Sequence, residues 1–240
     1  MKQGKLILLP NLLGRDSKKE YFPIILKEKI NCLDGLIAED EKNARRYLKN
    51  FLSSEKTDNF LIKILNKKTK DYDDIINSIL KGKTWGLISD IGMPCIADPG
   101  SELIFLAHLN NIKVEAISGS SSILLALILS GFSGQKFFFH GYLPIEKFKL
   151  KRKIKEIEKA CDEKVTQIFI ETPYRNFRLF KFLIEVLKDN TFLSIAKELE
   201  TENQLVVTQK ISFWKKGCFS KKIYGKEYFH KKKMVFLISK

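Results

Sequence analysis

Short apolar runs of β type alternate with longer stretches of helical period along the whole chain, which predicts an α/β architecture with largely parallel sheets. In the first half the strand candidates are Lys5–Leu9, Gly35–Glu39, Asn59–Ile64, Trp85–Ser89 and Lys113–Ile117, and helical period runs through 17–30, 41–52, 71–81 and 101–110. Five strands with intervening helices complete one domain with a mostly parallel sheet. The second half offers Lys136–Gly141, Val165–Glu171, Thr191–Ala196, Gln204–Ile211 and Met234–Ser239 as strands, with helical stretches at 146–161 and 174–188. Near its end the helices drop out of the pattern and strands follow one another, so a mixed sheet is expected there. No linker rich in Pro, Gly or Ser parts the halves. The expectation is two α/β domains, 1–115 and 116–240, joined near Glu115–Gly119 tightly enough to share a cleft.

Composition narrows the class. The 240 residues are 44% hydrophobic, enough for a buried core without staples. Cys32, Cys95, Cys161 and Cys218 stand singly, outside any C-x-x-C or Cys/His spacing that a zinc or redox pair needs. No metal is expected, and a reducing cytoplasm suits them. The start, through Lys5, lacks the apolar length and cleavage site of a signal peptide. The longest wholly apolar run, Ile123–Leu129, falls far short of the roughly 20 residues that span a bilayer. A soluble cytoplasmic protein with no membrane partner follows.

Net charge is +15, and residues 1–115 carry 19 basic and 16 acidic side chains against 24 and 12 in residues 116–240. The second half therefore holds most of the excess, as expected of a surface that meets phosphates. The ordinary alternative is solubilising charge. Only Arg15, Arg45, Arg46, Arg152, Arg175 and Arg178 are arginines, and lysine lacks the bidentate fork of specific phosphate contacts.

Three segments carry candidate chemistry. In Gly86-Leu-Ile-Ser-Asp-Ile-Gly-Met-Pro-Cys-Ile-Ala-Asp-Pro-Gly100 an apolar strand enters a loop dense in Asp, Pro and Gly and then a helix. Such a loop lies beyond the carboxyl end of its strand, where open α/β sheets bind ligands. Asp90 can accept hydrogen bonds there, while Asp98-Pro99 reads as a helix cap and first helical position. Ser118-Gly-Ser-Ser-Ser122 follows the next strand and opens an apolar helix, suiting a polar ligand or simply capping. Glu171-Thr-Pro-Tyr-Arg175 ends a β run in the second half and makes Arg175 available to a phosphate or carboxylate, with Pro173 as a helix start. His108, His140 and His230 lack partners at telling spacing, and Glu39-Asp40-Glu41 reads as a helix first turn. Lys231–Lys233 and the basic helix Lys147–Lys155 read as solvated surface or as contacts to RNA. Neither a G-x-G-x-x-G nor a P-loop is present, so unaided residue reading ends at a two-domain α/β protein with a polar cleft.

Those loops, in that order, resemble the tetrapyrrole methylase superfamily, and especially its branch of bacterial ribosomal RNA small-subunit 2′-O-methyltransferases. Ser89-Asp-Ile-Gly-Met-Pro94 with Asp98-Pro-Gly100 is similar to S-D-A-G-x-P-x-x-x-D-P-G. Ser118–Ser122 stands where the branch has P-G-P-S-A, and Ile170-Glu-Thr-Pro-Tyr-Arg175 resembles Y-E-S-P-H-R. Ala38-Glu-Asp40 with Arg45 resembles A-E-D-T-R, and Lys197-Glu-Leu199 resembles R-E-L-T-K.

The resemblance implies S-adenosyl-L-methionine as cofactor in the interdomain cleft, ribosomal RNA as partner, methyl transfer to a ribose 2′ oxygen and a homodimer. It assigns Asp90, Gly92, Met93, Pro94, Ser121, Ser122 and Thr172 to the cofactor, and Glu39, Arg45, Arg175 and Lys197 to the substrate. It names no catalytic base. Two loops depart from the pattern: T-P-I-G-N is here within Leu9-Pro-Asn-Leu-Leu-Gly14, and P-G-P-S has become Ser118-Gly-Ser-Ser121. The chain also reads as a shortened relative of the RNA enzymes. Methylation of a small molecule such as a tetrapyrrole, or binding without catalysis, stay open beside the RNA reading.

Overall fold

The computed structural model describes residues 4–14, 16–65, 72–219 and 224–240, and only the backbone of 217–219. The start of the chain through Gln3, Arg15, Asp71 of the expected 71–81 helix and the side chain of Cys218 lie outside the described residues. The chain divides into two compact units, Met1–Ser121 and Ser122–Lys240. Among the described residues each holds one five-stranded sheet flanked by helices, the two α/β domains expected.

In the first unit the strands are β1 (Lys5–Leu8), β2 (Gly35–Ala38), β3 (Ile62–Ile64), β4 (Thr84–Leu87) and β5 (Lys113–Ala116). They pair in parallel in the order β3-β2-β4-β1-β5. β2 and β4 are buried at every position, which is why they read as unbroken apolar runs rather than alternating ones. One apolar cluster, with Leu6, Ile37, Ile76, Trp85 and Leu103, covers one face, and another, with Ile7, Leu9, Leu36, Tyr47 and Ile88, covers the other. The helices are α1 (Leu26–Asn31), α2 (Glu41–Leu48), α3 (Ser54–Asp58), α4 (Asp73–Leu80) and α5 (Ser101–Leu109). The expected helical stretch 17–30 is broken: a 3-10 turn at Lys19–Tyr21 and then α1 flank Pro23, whose ring excludes helical continuation. α3 was not foreseen, and it shortens the expected strand Asn59–Ile64 to β3.

The second unit contains α6 (Ser122–Ser130), β6 (Phe137–Tyr142), α7 (Lys147–Ala160), β7 (Thr166–Ile170), α8 (Asn176–Val186), β8 (Phe192–Lys197), β9 (Leu205–Lys210), α9 (Ile211–Phe219), α10 (Lys226–Phe229) and β10 (Met234–Ser239). Its sheet, ordered β6-β7-β10-β8-β9, is mixed as expected: β6 and β7 are parallel, and β10 runs antiparallel to β7 and β8. The expected loss of helices near the end is corrected by α9 and α10. Ile211 and Trp214, fully buried three residues apart on α9, turn the apolar end of the expected strand Gln204–Ile211 into a helix face. Trp214 donates to the Leu193 carbonyl at 3.1 Å and packs edge-on to Phe180, which stacks on Phe229 of α10. Pro173 stands in a turn before α8 rather than at its first position. Among the described residues no helix is long and apolar enough to cross a membrane, and no three His, Cys, Asp or Glu cluster to hold a metal.

One charge cluster braces the edge strand of the first sheet. Lys5 and Lys113 are register partners on β1 and β5, and Glu115 accepts from both, at 2.8 and 2.7 Å. The hydrogen bonds from Lys113 and then Lys5 hold its carboxyl down to about 2. A lowered carboxyl stabilises the fold above the ordinary glutamate value of about 4.3 and loses that contribution as pH falls through the folded value. Glu115→Gln is expected to cost about 0.2–1 kcal/mol in urea unfolding at pH 7. The difference should shrink between pH 4 and 2; a constant gap would show that the cluster contributes nothing through charge.

Candidate functional site

Because β1, β2, β4 and β5 are parallel, the loops leaving them emerge at one carboxyl edge of the first sheet. Those after β1 and β4 are bonded directly. The Asn11 amide donates to the Gly92 carbonyl at 2.9 Å, and the Gly92 amide returns to Leu12 at 3.3 Å. The Asn11 side chain donates to the carbonyls of Ser89 and Asp90 at 3.0 and 3.1 Å while its Oδ1 accepts from Leu12 N at 2.8 Å. The Ser89 hydroxyl turns inward to the carbonyls of Ile91 and Gly92.

The loop after β5 closes on the same place. A Cβ on Gly119 would stand 2.0 Å from the Pro10 Cβ, so only a bare backbone fits there. Gly92 holds a left-handed φ of +69°, and a Cβ on it would meet Leu13 and the Ser120 carbonyl at 3.0 Å. From the β2 side, Asp40 caps α2 by accepting from Asn43 N at 2.8 Å, and the Asn43 side chain donates to Asp90 Oδ2 at 2.9 Å. Asp90 is exposed and oriented by that bond, and its Oδ1 stays open among the described residues.

Strain marks the rest of the β4 loop. Cys95 and Ala97 take φ of +71° and +66°, a conformation that non-glycine residues adopt at a cost of order 1–3 kcal/mol each and that clusters at ligand sites. Gly100, φ +126°, caps α5, so Asp98-Pro99 precedes the cap instead of forming it. Burial, then the Asp98 charge, pushes the Cys95 thiol up to about 11, which keeps it protonated and unsuited to nucleophilic attack. Met93 is half-buried, Pro94 buried and Ser121 half-buried on the chain leaving the β5 loop. Asp90, Gly92, Met93, Pro94 and Ser121 thus gather in the carboxyl-edge loops of one unit, with Glu39 half-buried after β2. Asn11 and Asn43, which align this edge, were not singled out in the sequence, although Asn11 lies in the Leu9–Gly14 segment that departs from T-P-I-G-N.

Arg45 is engaged elsewhere. Its Nε and Nη2 bind Glu41 Oε1 at 3.0 and 2.7 Å and its Nη1 binds the carbonyls of Thr57 and Asp58, joining α2 to α3. A cavity of about 330 Å³ lined by Gly4, Lys5, Ile7, Lys29, Cys32, Thr84 and Lys113 opens at the opposite, amino edge and includes none of the loop residues.

In the second unit Ser122 opens α6, while Thr172, Arg175 and Lys197 share the sheet edge where β7 and β8 end and β10 begins. Glu171 Oε1 accepts from Thr172 N at 2.6 Å and from Arg175 Nε and Nη2 at 3.0 and 2.5 Å, so the guanidinium is largely engaged. Lys197 is different: its Nζ lies 4.0 Å over the Tyr228 ring and forms no ion pair among the described residues. Burial, then repulsion from Lys232, pushes its ammonium below the ordinary lysine value. Glu198 accepts from Lys233 N at 2.7 Å and pairs with Lys232 at 3.5 Å, tying this edge together.

Residues 31–212 match the family Tetrapyrrole (Corrin/Porphyrin) Methylases. The chain belongs to that family. A Ribosomal RNA small subunit methyltransferase I of Buchnera aphidicola subsp. Schizaphis graminum is 32% identical over 82% of this chain and 66% of its own length. The protein of that name from Thermotoga maritima is 29% identical over 87% of this chain and 89% of its own, and that from Halalkalibacterium halodurans 34% over 69% and 55%. The chain therefore spans about two thirds or less of two of these relatives. Among solved structures, the methyltransferase CobJ superposes with a TM-score of 0.61 at 11% identity, covering 100% of this chain and 94% of that one. Cobalt precorrin-4 methyltransferase CbiF gives 0.58 at 10%, covering 99% and 95%. At such identity these two show that the fold is that of the tetrapyrrole methylases, and nothing of substrate.

The loop contact at Gly119 is the most constrained feature of the edge. Gly119→Ala is expected to lower stability by about 1–3 kcal/mol in urea unfolding as the methyl forces Pro10 away. Parent-like stability would show that the two loops are not packed.

Proposed function

We propose that this chain is an S-adenosyl-L-methionine-dependent methyltransferase whose acceptor is a ribose 2′ oxygen of small-subunit ribosomal RNA. The observation that carries the cofactor half is the meeting of the β1, β4 and β5 loops at Gly92 and Gly119, beside the open carboxylate oxygen of Asp90. Bare backbone at Gly92 and Gly119 lets the three loops pack directly on one another, and the exposed Asp90 carboxylate beside them accepts from an ammonium or ribose hydroxyl. Such an acceptor suits an amino acid joined to a nucleoside. The cofactor supplies, when bound, a methyl group already activated on a sulfonium. What the chain adds is alignment of the acceptor and exclusion of water.

The name shared by the relatives supports RNA as acceptor, and so does the concentration of unbalanced lysine in residues 116–240. Of the proposed substrate residues, Lys197 is best suited to a phosphate, since Arg45 and Arg175 are held by internal carboxylates. A cytoplasmic location and a homodimer belong to the same reading. α6 supports the second: it is apolar on all sides, yet Ile128 is 73% exposed beside exposed Leu124 and Leu129.

Calorimetry with S-adenosyl-L-methionine is expected to show binding that Asp90→Ala weakens at least tenfold, about 1.4 kcal/mol; unchanged affinity would remove Asp90 from the site. Methyl transfer from radiolabelled cofactor to total RNA of a strain lacking this protein should label the small-subunit ribosomal RNA. Label found only in small molecules would move the acceptor to a tetrapyrrole-like compound. Cofactor binding without any transfer would leave a non-catalytic relative.

A further inference from the structure

Helix α7 breaks local rules on its exposed side. Leu150, Ile154 and Ile157 bury one face, and Phe148, Lys151, Arg152, Lys155 and Lys159 follow at the i, i+3, i+4, i+7 and i+11 positions of the opposite face. They form a single stripe about 16 Å long at 1.5 Å per residue. Lys151, Lys155 and Lys159 are like charges at successive i, i+4 positions, which destabilises a helix. None of the three pairs with a carboxylate among the described residues.

The amino terminus is set against the helix dipole as well. No acid occupies the first turn, where Lys147 and Lys149 sit instead, and Glu146 at the cap position makes no capping bond and pairs with Lys149 at 2.8 Å. Phe148, 75% exposed, stands at the head of the cations with Ile145, 61% exposed, three residues before it. A merely solubilising face has no use for an exposed ring at its positive end. Local rules broken together at one place are a mark of function.

We propose that this stripe of α7 is a binding surface for single-stranded RNA, with Phe148 stacking on a base and Lys151, Lys155 and Lys159 following the phosphates beside Arg152, which Glu156 holds at 3.1 Å. The surface rests on the RNA reading above and extends it to a part of the chain outside the cofactor loops. A polyanion relieves the repulsion within the lysine ladder and occupies the positive helix end, and an exposed base covers the ring. The charged face excludes a lipid-buried orientation, because only its first residue is apolar.

The test is fluorescence anisotropy of the full chain with a labelled single-stranded oligoribonucleotide from small-subunit ribosomal RNA, across a salt series. Phe148→Ala should raise Kd at least about fivefold with an unchanged salt slope, since it removes stacking and no charge. Phe148→Tyr should restore binding. The Lys151→Ala, Lys155→Ala double variant should flatten the slope of log Kd against log salt by about 1.4, or about 0.7 per lost phosphate contact. All these side chains are exposed, so thermal unfolding should occur no lower than in the parent, and slightly higher where two lysines of the ladder are removed. Equal Kd and slope in parent and variants would overturn the stripe while leaving RNA as substrate. Binding to anionic phospholipid vesicles but not to RNA would overturn both, and cofactor calorimetry would still report on cofactor binding separately.

Discussion

The side chain of Asn11 is the tie on which the carboxyl edge of the first sheet depends. Parallel strands send successive loops to one edge, but they do not by themselves hold those loops together. Each loop carries amides and carbonyls that need partners once pressed against its neighbours. Asn11 satisfies two carbonyls across the gap and the Leu12 amide of its own loop, and its own amide binds Gly92. With that tie made, Gly92 and Gly119 allow contact at backbone distance and Asp90 is held on the outer rim by Asn43.

The same edge stores conformational energy. Cys95 and Ala97 sit in left-handed backbone within seven residues of Asp90 and Gly92. The surrounding apolar sheet, buried on both faces, offsets that strain, and the loop is thereby fixed before any ligand arrives. Preorganisation is what an enzyme acting on an already activated methyl donor needs most, since its task is placement.

Both units match cations to nearby carboxylates: Lys5 and Lys113 to Glu115 and Lys83 to Asp34 in the first, Arg175 to Glu171 and Lys215 to Asp189 in the second. In the second, Lys151, Lys155 and Lys197 form no ion pair among the described residues. The excess of lysine over acid in residues 116–240 is thus more than a compositional bias, because it is arranged as a stripe on α7 and as a cation held against the Tyr228 ring.

Period and punctuation in the sequence determined the class of fold, the parallel first sheet, the mixed second sheet and, for every strand but β3, bounds within one or two residues, because two-sided burial writes apolar runs into β2 and β4. The motif of Ser89–Pro94 likewise marked its loop, since glycine and proline there are required by backbone shape rather than by distant contacts. Two things had no local signature. Apolar, partly aromatic Ile211–Trp214 fits a strand as well as a helix, and only the pocket around Phe180 and Phe229 decided for α9. The pairing of Arg45 with Glu41 and of Arg175 with Glu171, by contrast, follows the i, i+4 spacing already present in the sequence. Asn11 and Asn43 acquired their roles only when strand order made neighbours of residues more than 45 positions apart, for a side-chain hydrogen bond depends on proximity in space and leaves no period along the chain.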